Sequence, residues 1–315
     1  VVALRELKGR HLLTLLDYKP EEIKLILEVS RQLKLRYYAG ERVIPVHSGK
    51  TLMLIFEKPS TRTRVSLEVA ARQLGMNVIY ASSQELQLGR GEPIRDTARV
   101  LSRYVDCIAA RVYKHESLEE MARYSKVPVI NALSDKFHPL QALADALTLW
   151  EIKGRLEKLK VAFIGDCSNN VATSLAIIGV KLGWEVRLVG PRELHPDSKL
   201  IEQLLSEARQ TGANIEVTED VEEGVRGVDA VYTDVWVSMG FEHEAEKRRR
   251  ILEPYRVTMR VMELAGPDAV FMHCLPARRG EEVTDDVIES SRSVVWQQAE
   301  NRLHTAKAVL ALLVP

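Results

Sequence analysis

Ser60-Thr61-Arg62-Thr63-Arg64 sets three hydroxyls and two guanidiniums within five consecutive residues, just after the apolar run Thr51-Leu52-Met53-Leu54-Ile55-Phe56. Donors at that density suit an anion, and arginine forks match phosphate oxygens. A helix opening between Thr61 and Thr63 would add its unpaired N–H groups and the positive end of its dipole. The same residues could also be an ordinary Ser/Thr N-cap with two solvated arginines.

Further polar groups recur at long intervals. Arg111 and Asn131 each follow an apolar run, and His138 and Gln141 stand one turn apart at a helix start, on one face. A His and a Gln there can be caps or catalytic groups; lying on the same rim as the hydroxyl cluster favours the second. In the second half come Asn169 and Asn170, Asp234, Ser238-Met239-Gly240 and His273-Cys274-Leu275-Pro276. Amide donors for a carboxylate and a carboxylate for an ammonium are what an amino-acid head group requires. Turn chemistry is the competing explanation, especially for the paired asparagines. Cys274 reads as a small buried residue, a polar contact in a site or a nucleophile, and no Cys-His-Asn signature supports the last. The histidines lack ligand spacing, so no metal is expected. Gly165-Asp166-Cys167 is not a G-x-G-x-x-G fingerprint, so a dinucleotide has weak support and no cofactor is expected.

Positioning these groups requires an alternation of strands and helices. Strands are expected over 51–56, 78–81, 107–110, 128–130, 161–164, 185–189, 214–217, 230–233, 269–272 and 293–295. Helices are expected from Pro20, from 61–63 to Gly75, over 93–104, 118–124, 138–152, up to Leu182, over 198–210, 242–252 and 298–312, with Ser117 and Glu120 as a capping box. Such alternation predicts an α/β fold of two domains, each a mainly parallel sheet flanked by helices, with ligands beyond the carboxyl ends of the strands. The boundary is placed near Lys153-Gly154, giving domains 1–150 and 151–297, with helix 298–315 returning to complete the first.

Composition restricts the function classes. The 315 residues are 46% hydrophobic and 28% charged, and Lys plus Arg equals Asp plus Glu at 44 each. Nothing global favours nucleic acid or a membrane, so anion binding must be local. The run Glu244-Ala245-Glu246-Lys247-Arg248-Arg249-Arg250 interleaves acids and lacks aromatic neighbours, the pattern of a solvated helix face. Cys107, Cys167 and Cys274 are too few and scattered for a disulfide framework, which points to a reducing compartment. No apolar run reaches the ~18 residues of a membrane span. A cytoplasmic location is expected, or a mitochondrial matrix if a presequence was removed.

Ser60-Thr61-Arg62-Thr63-Arg64, His138-Pro139-Leu140-Gln141, Asp234-Val235-Trp236-Val237-Ser238-Met239-Gly240 and His273-Cys274-Leu275-Pro276 resemble, in this order, the four signatures of the carbamoyltransferases. The last two are similar to the ornithine branch. The similarity extends over essentially the whole chain, including Leu86-Gln87-Leu88, Ala110-Arg111-Val112-Tyr113 and Ala299-Glu300-Asn301-Arg302. The resemblance implies transfer of a carbamoyl group from carbamoyl phosphate to the δ-amine of ornithine, in an interdomain cleft. It implies that Ser60, Thr61, Arg62, Thr63, Arg111 and a neighbouring subunit's Gln87 hold the phosphate. Thr63, Arg111 and His138 would polarise the carbamoyl oxygen, Gln141 and the Leu275 carbonyl would receive its amide, and Arg302 would lie near. Asn170, Asp234, Ser238 and Met239 would fix the amino-acid head group, with Cys274 near the attacking amine. A homotrimer, or a multiple of trimers, is likewise implied.

Three positions depart from the family pattern: one extra residue before the paired asparagines in Gly165-Asp166-Cys167-Ser168-Asn169-Asn170, Arg278-Arg279 after the fourth signature, and Leu140 within the second. Transfer to another amine, putrescine or an acylated ornithine, and a non-catalytic binding paralogue are the alternatives.

Overall fold

The computed structural model describes residues 4–238 and 240–315. They divide into two compact units, one of residues 4–147 and 300–315, the other of 148–238 and 240–299.

In the first unit, α1 (Pro20–Tyr38), β1 (Thr51–Phe56), α2 (Thr61–Gln73), β2 (Asn77–Ser82), α3 (Ile94–Leu101), β3 (Cys107–Arg111), α4 (His115–Tyr124), β4 (Val129–Leu133) and α5 (Pro139–Lys153) follow in order. The parallel sheet runs β2-β1-β3-β4. Central position explains the composition: β1 from Leu52 and all of β3 are buried, whereas β2, at the edge, alternates with exposure at Asn77 and Ile79. From β1 the chain crosses outward to β2 and then back to β3. The carboxyl ends of β1 and β3, paired at Phe56 and Arg111, therefore flank a topological switch point, where the connections part and a crevice opens.

In the second unit the order is β5 (Lys160–Ile164), α6 (Asn170–Lys181), β6 (Glu185–Val189), α7 (Ser198–Thr211), β7 (Asn214–Thr218), α8 (Val221–Val225), β8 (Ala230–Thr233), α9 (Ala245–Leu252), α10 (Met259–Ala265), β9 (Val270–His273), α11 (Asp285–Ile288) and α12 (Val295–Leu313). Its parallel sheet runs β7-β6-β5-β8-β9, with the switch point between β5 and β8, paired at Ile164 and Thr233. The division between units falls within α5 and within α12.

Several expectations need correction. Residues 293–295 form no strand: Ser293 makes one isolated bridge to Phe271, and α12 already begins at Val295. Ser117 and Glu120 are not a capping box, because α4 starts at His115, before both of them. Asn131 does not face the site. It is fully buried, its amide donates to the carbonyls of Leu13 at 2.9 Å and Phe137 at 3.2 Å, and it ties the N-terminal segment to β4. The short helices α8, α10 and α11 went unforeseen because one or two turns carry too few periodic positions to register as amphipathic.

Candidate active site

In the first unit, the segment after β1 is strapped to the end of β3. The Glu57 N–H donates to the Arg111 carbonyl (2.8 Å), and the Glu57 carboxylate accepts the Tyr113 N–H (2.6 Å). The next residues open α2 with Ser60 as N-cap, its backbone extended and its Oγ accepting the Thr63 N–H at 3.3 Å. Thr61 is exposed and Arg62 half-buried at the helix mouth, while Thr63 is buried. Arg64 turns away: its guanidinium lies 3.4 Å from the centre of the Tyr80 ring on β2, so only one of the two arginines stays at the mouth. Arg111 stands where the β3–β4 register slips, and a bulge of this kind re-aims the side chain it carries.

From α12, Arg302 joins two other helices. Its Nη2 donates to Thr63 Oγ1 and its Nη1 to Gln141 Oε1, both at 2.8 Å. Gln141 Nε2 in turn donates to Asp145 Oδ1 at 2.9 Å, one turn along α5. Arg302 is 3% exposed and Gln141 1%, so these bonds form away from bulk water, where a charge-assisted pair is strong. His138, also buried, has its pKa held well below the usual imidazole value, first by burial and then by the charges of Arg302, Arg111 and Lys58. Those three cations thus surround a histidine that is neutral at pH 7. Gln87 sits exposed on the turn Gln87–Arg90 and joins none of these bonds.

In the second unit, Asp234 is the centre. Leaving β8, it accepts the Val235 N–H (2.8 Å) and the Cys274 thiol (3.2 Å) on Oδ1, and Asn169 Nδ2 (3.2 Å) on Oδ2. Asn169 caps α6 through its Oδ1, which accepts the Ala172 N–H at 2.8 Å, and Asn170 is the first helical residue. Burial raises the Asp234 pKa; His273, the Cys274 thiol and the Val235 N–H act in the opposite direction. Ser238 is half-buried, and Met239 lies outside the described residues.

His273 and Cys274 are not independent. His273 Nδ1 accepts the Leu275 N–H at 2.8 Å, which leaves Nε2 to donate to Glu282 Oε1 at 2.9 Å, and that oxygen also accepts the Arg278 N–H at 2.7 Å. This ring of bonds holds Leu275 at φ +60°, a conformation costing about 1–3 kcal/mol in a non-glycine residue. Donor atoms of Asp234, His273 and Cys274 lie within 4.8 Å of one another. A metal there would have to take an imidazole nitrogen from Leu275 or from Glu282, so the group is better suited to hydrogen bonding.

Apart from Gln87 and Met239, the expected residues lie at strand ends or on the loops and helix starts that follow the strands of their own sheet, with Arg302 added from α12. Lys58, Asp145 and Glu282 were missed as members: Lys58 lies between the apolar run and the hydroxyl cluster, whereas Asp145 and Glu282 carry no motif and reach the site through Gln141 and His273.

The carbamoyl-P binding domain of the aspartate/ornithine carbamoyltransferases matches residues 10–151, and the Asp/Orn binding domain of the same family matches residues 157–313. The chain is 65% identical over 305 residues to the ornithine carbamoyltransferase of Pyrobaculum calidifontis, covering 97% of this chain and 98% of that protein. It is 62% identical over 308 residues to that of Hyperthermus butylicus, covering 98% of each. The solved ornithine carbamoyltransferase of Pyrococcus furiosus superposes with a TM-score of 0.95 at 54% identity, over 100% of this chain and 99% of that one. Among the described residues, no helix is long and apolar enough to cross a membrane. Two family domains matched in order, with their signature residues on the loops and helix starts that follow the strands of two parallel sheets, place this chain in the aspartate/ornithine carbamoyltransferase family.

Proposed function

We propose that the protein transfers the carbamoyl group of carbamoyl phosphate to the δ-amine of L-ornithine, giving L-citrulline and phosphate. The observation that carries this is Arg302, which bonds Thr63 at the mouth of α2 and Gln141 at the start of α5, beside a neutral His138. One buried cation thereby serves both an anion cradle and a carbonyl-polarising pair, the two needs of a carbamoyl phosphate.

Ser60, Thr61, Arg62, Thr63 and Arg111 hold the phosphate in this scheme. Thr63, Arg111 and His138 polarise the carbamoyl oxygen, and Gln141 with the Leu275 carbonyl takes the carbamoyl NH2. Asp234 receives the ornithine α-ammonium, and Asn170, Ser238 and Met239 complete the head-group contacts. Cys274, bonded to Asp234, lies near the attacking amine. The neutral δ-amine forms the new C–N bond, the carbon–oxygen bond to phosphate breaks, and phosphate leaves with that electron pair while the amine sheds its proton. Positioning two substrates contributes about 7–11 kcal/mol in favourable cases. Each donor aimed at the developing oxyanion adds roughly 3–4 kcal/mol. Residues 1–150 with the C-terminal helix are assigned to carbamoyl phosphate and 151–297 to ornithine, and the matched domain descriptions support that division. A trimer in which Gln87 completes a neighbour's phosphate site, and a cytoplasmic location, belong to the same proposal.

Citrulline formation is the test, with ornithine compared against lysine and putrescine. Ornithine should exceed putrescine by at least about a hundredfold in kcat/KM, since putrescine leaves buried head-group partners unmatched, and lysine by roughly 10- to 200-fold for its extra methylene. Equal use of putrescine, which has no head group, would refute the assignment of Asp234.

A further inference from the structure

The basic run 244–250 reads as a solvated helix face in sequence, yet Arg248 is buried. Its Nη1 donates to Asp166 Oδ2 at 2.6 Å, its Nε to Glu244 Oε2 at 3.0 Å, and its guanidinium lies 4.4 Å from the centre of the Phe241 ring. Asp166 is equally committed. Its other oxygen, Oδ1, accepts both the N–H of Ser168 at 3.0 Å and its hydroxyl at 2.6 Å.

Asp166 and Ser168 form the turn that leads from β5 to Asn169, and Asn169 both caps α6 and donates to Asp234. On the other side, Arg248 lies in the helix entered from Ser238 through Phe241, whose N–H donates to the Ser238 carbonyl at 3.0 Å. A single buried ion pair therefore links the segment carrying Ser238 to the turn carrying Asn169 and Asn170. None of these bonds reaches a residue assigned to carbamoyl phosphate.

We infer that Arg248 and Asp166 are positioning residues for the amino-acid head-group site, fixing the asparagine turn and the Ser238 segment relative to each other. This rests on ornithine being the second substrate. A pair that merely held the unit folded would affect both substrates alike through the folded fraction. A positioning pair acts on ornithine alone, and its two members act as one.

Four variants test it: Arg248→Met, Arg248→Lys, Asp166→Asn and the double variant of Arg248→Met with Asp166→Asn, which leaves no buried charge uncompensated should either single variant fail to fold. The expected result is a rise of roughly tenfold in the KM for ornithine. The KM for carbamoyl phosphate should stay within about twofold, and the double variant should be no worse than the worse single one. Calorimetric affinity for L-norvaline, which keeps the head group but lacks the δ-amine, should fall by the same factor, and Arg248→Lys should recover part of it. Unchanged norvaline affinity, parallel rises in both KM values, or strictly additive single effects would overturn the inference. Wild-type protein assayed alongside separates the two claims: no citrulline from wild type sinks the ornithine assignment, whereas an active wild type with indifferent variants sinks only the pair.

Discussion

Lys307 on α12 offers a sharp test of how this fold tolerates buried charge. It is fully buried, its ammonium lies 5.3 Å from the centre of the Tyr37 ring, and its Nζ has no hydrogen-bond acceptor among the described residues. Burial lowers its pKa from 10.5 to about 8. A folded-state pKa below the unfolded one means that the folded chain binds fewer protons between those values. Below about pH 8 the group is charged in both states and its full burial cost is present. That cost fades as pH rises through the window, and above 10.5 it is gone. At about 1.4 kcal/mol per pH unit, the interval between 10.5 and about 8 corresponds to roughly 3 kcal/mol, of which the Tyr37 face returns a part. Lys307→Met keeps the unbranched stem and removes the charge. It should stabilise the protein at pH 7 by about 2–3 kcal/mol, and the gain should vanish by about pH 10.5, as read from denaturant midpoints at both pH values. A variant less stable than the parent at pH 7, or a gain that persists unchanged at high pH, refutes the reasoning.

Two further outcomes bear on the site itself. Arg62→Ala should abolish most turnover and raise the KM for carbamoyl phosphate, while Arg64→Ala should leave both within about threefold, since Arg64 stacks on Tyr80; equal losses in the two would mean that both arginines serve the anion. Because burial raises the Asp234 pKa, the carboxylate proposed to receive the ornithine ammonium is lost at a higher pH than an ordinary aspartate would lose it. Expressed per neutral δ-amine, the KM for ornithine should climb as pH falls toward that value, and in Asp234→Asn it should be high and flat through the same range; an unaltered acid limb in the variant would remove Asp234 from the titration.

Legibility from sequence followed how local the signal was. β1 and β3 were readable because strands in the middle of a parallel sheet are nearly continuous apolar runs, here 52–56 and 107–110, and β8 from the shorter run 230–232. Ser60 as an N-cap was readable from neighbours three residues away. What escaped depended on partners far along the chain. Arg302 reaches Thr63 across 239 residues and Gln141 across 161, and its meaning came from family resemblance rather than from its own surroundings. Arg248 misled for the same reason, because its acid partner lies 82 residues earlier. Asn131 misled in the opposite direction: standing at a strand end made it look functional, when its amide binds the N-terminal segment.

The formal charge of zero conceals a division of labour between the units. The buried charges that act on His138 are Arg302, Arg111 and Lys58, all cationic, with the Asp145 carboxylate held behind Gln141. Around His273 and Cys274 they are Asp234 and Glu282, both acidic. Two such clusters on one neutral chain suit two ligands of opposite need, a phosphate dianion and an ammonium. Burial and the near-by cations suppress protonation of His138, whereas the two ring nitrogens of His273 are engaged by the Leu275 N–H and by Glu282. A neutral imidazole can donate to a carbamoyl oxygen without adding charge where an anion is already held, and the anchored one can aim the Leu275 carbonyl without competing for the incoming ammonium. The division also explains why composition alone excluded so much and identified so little: the charges that matter cancel in the total and separate only in space.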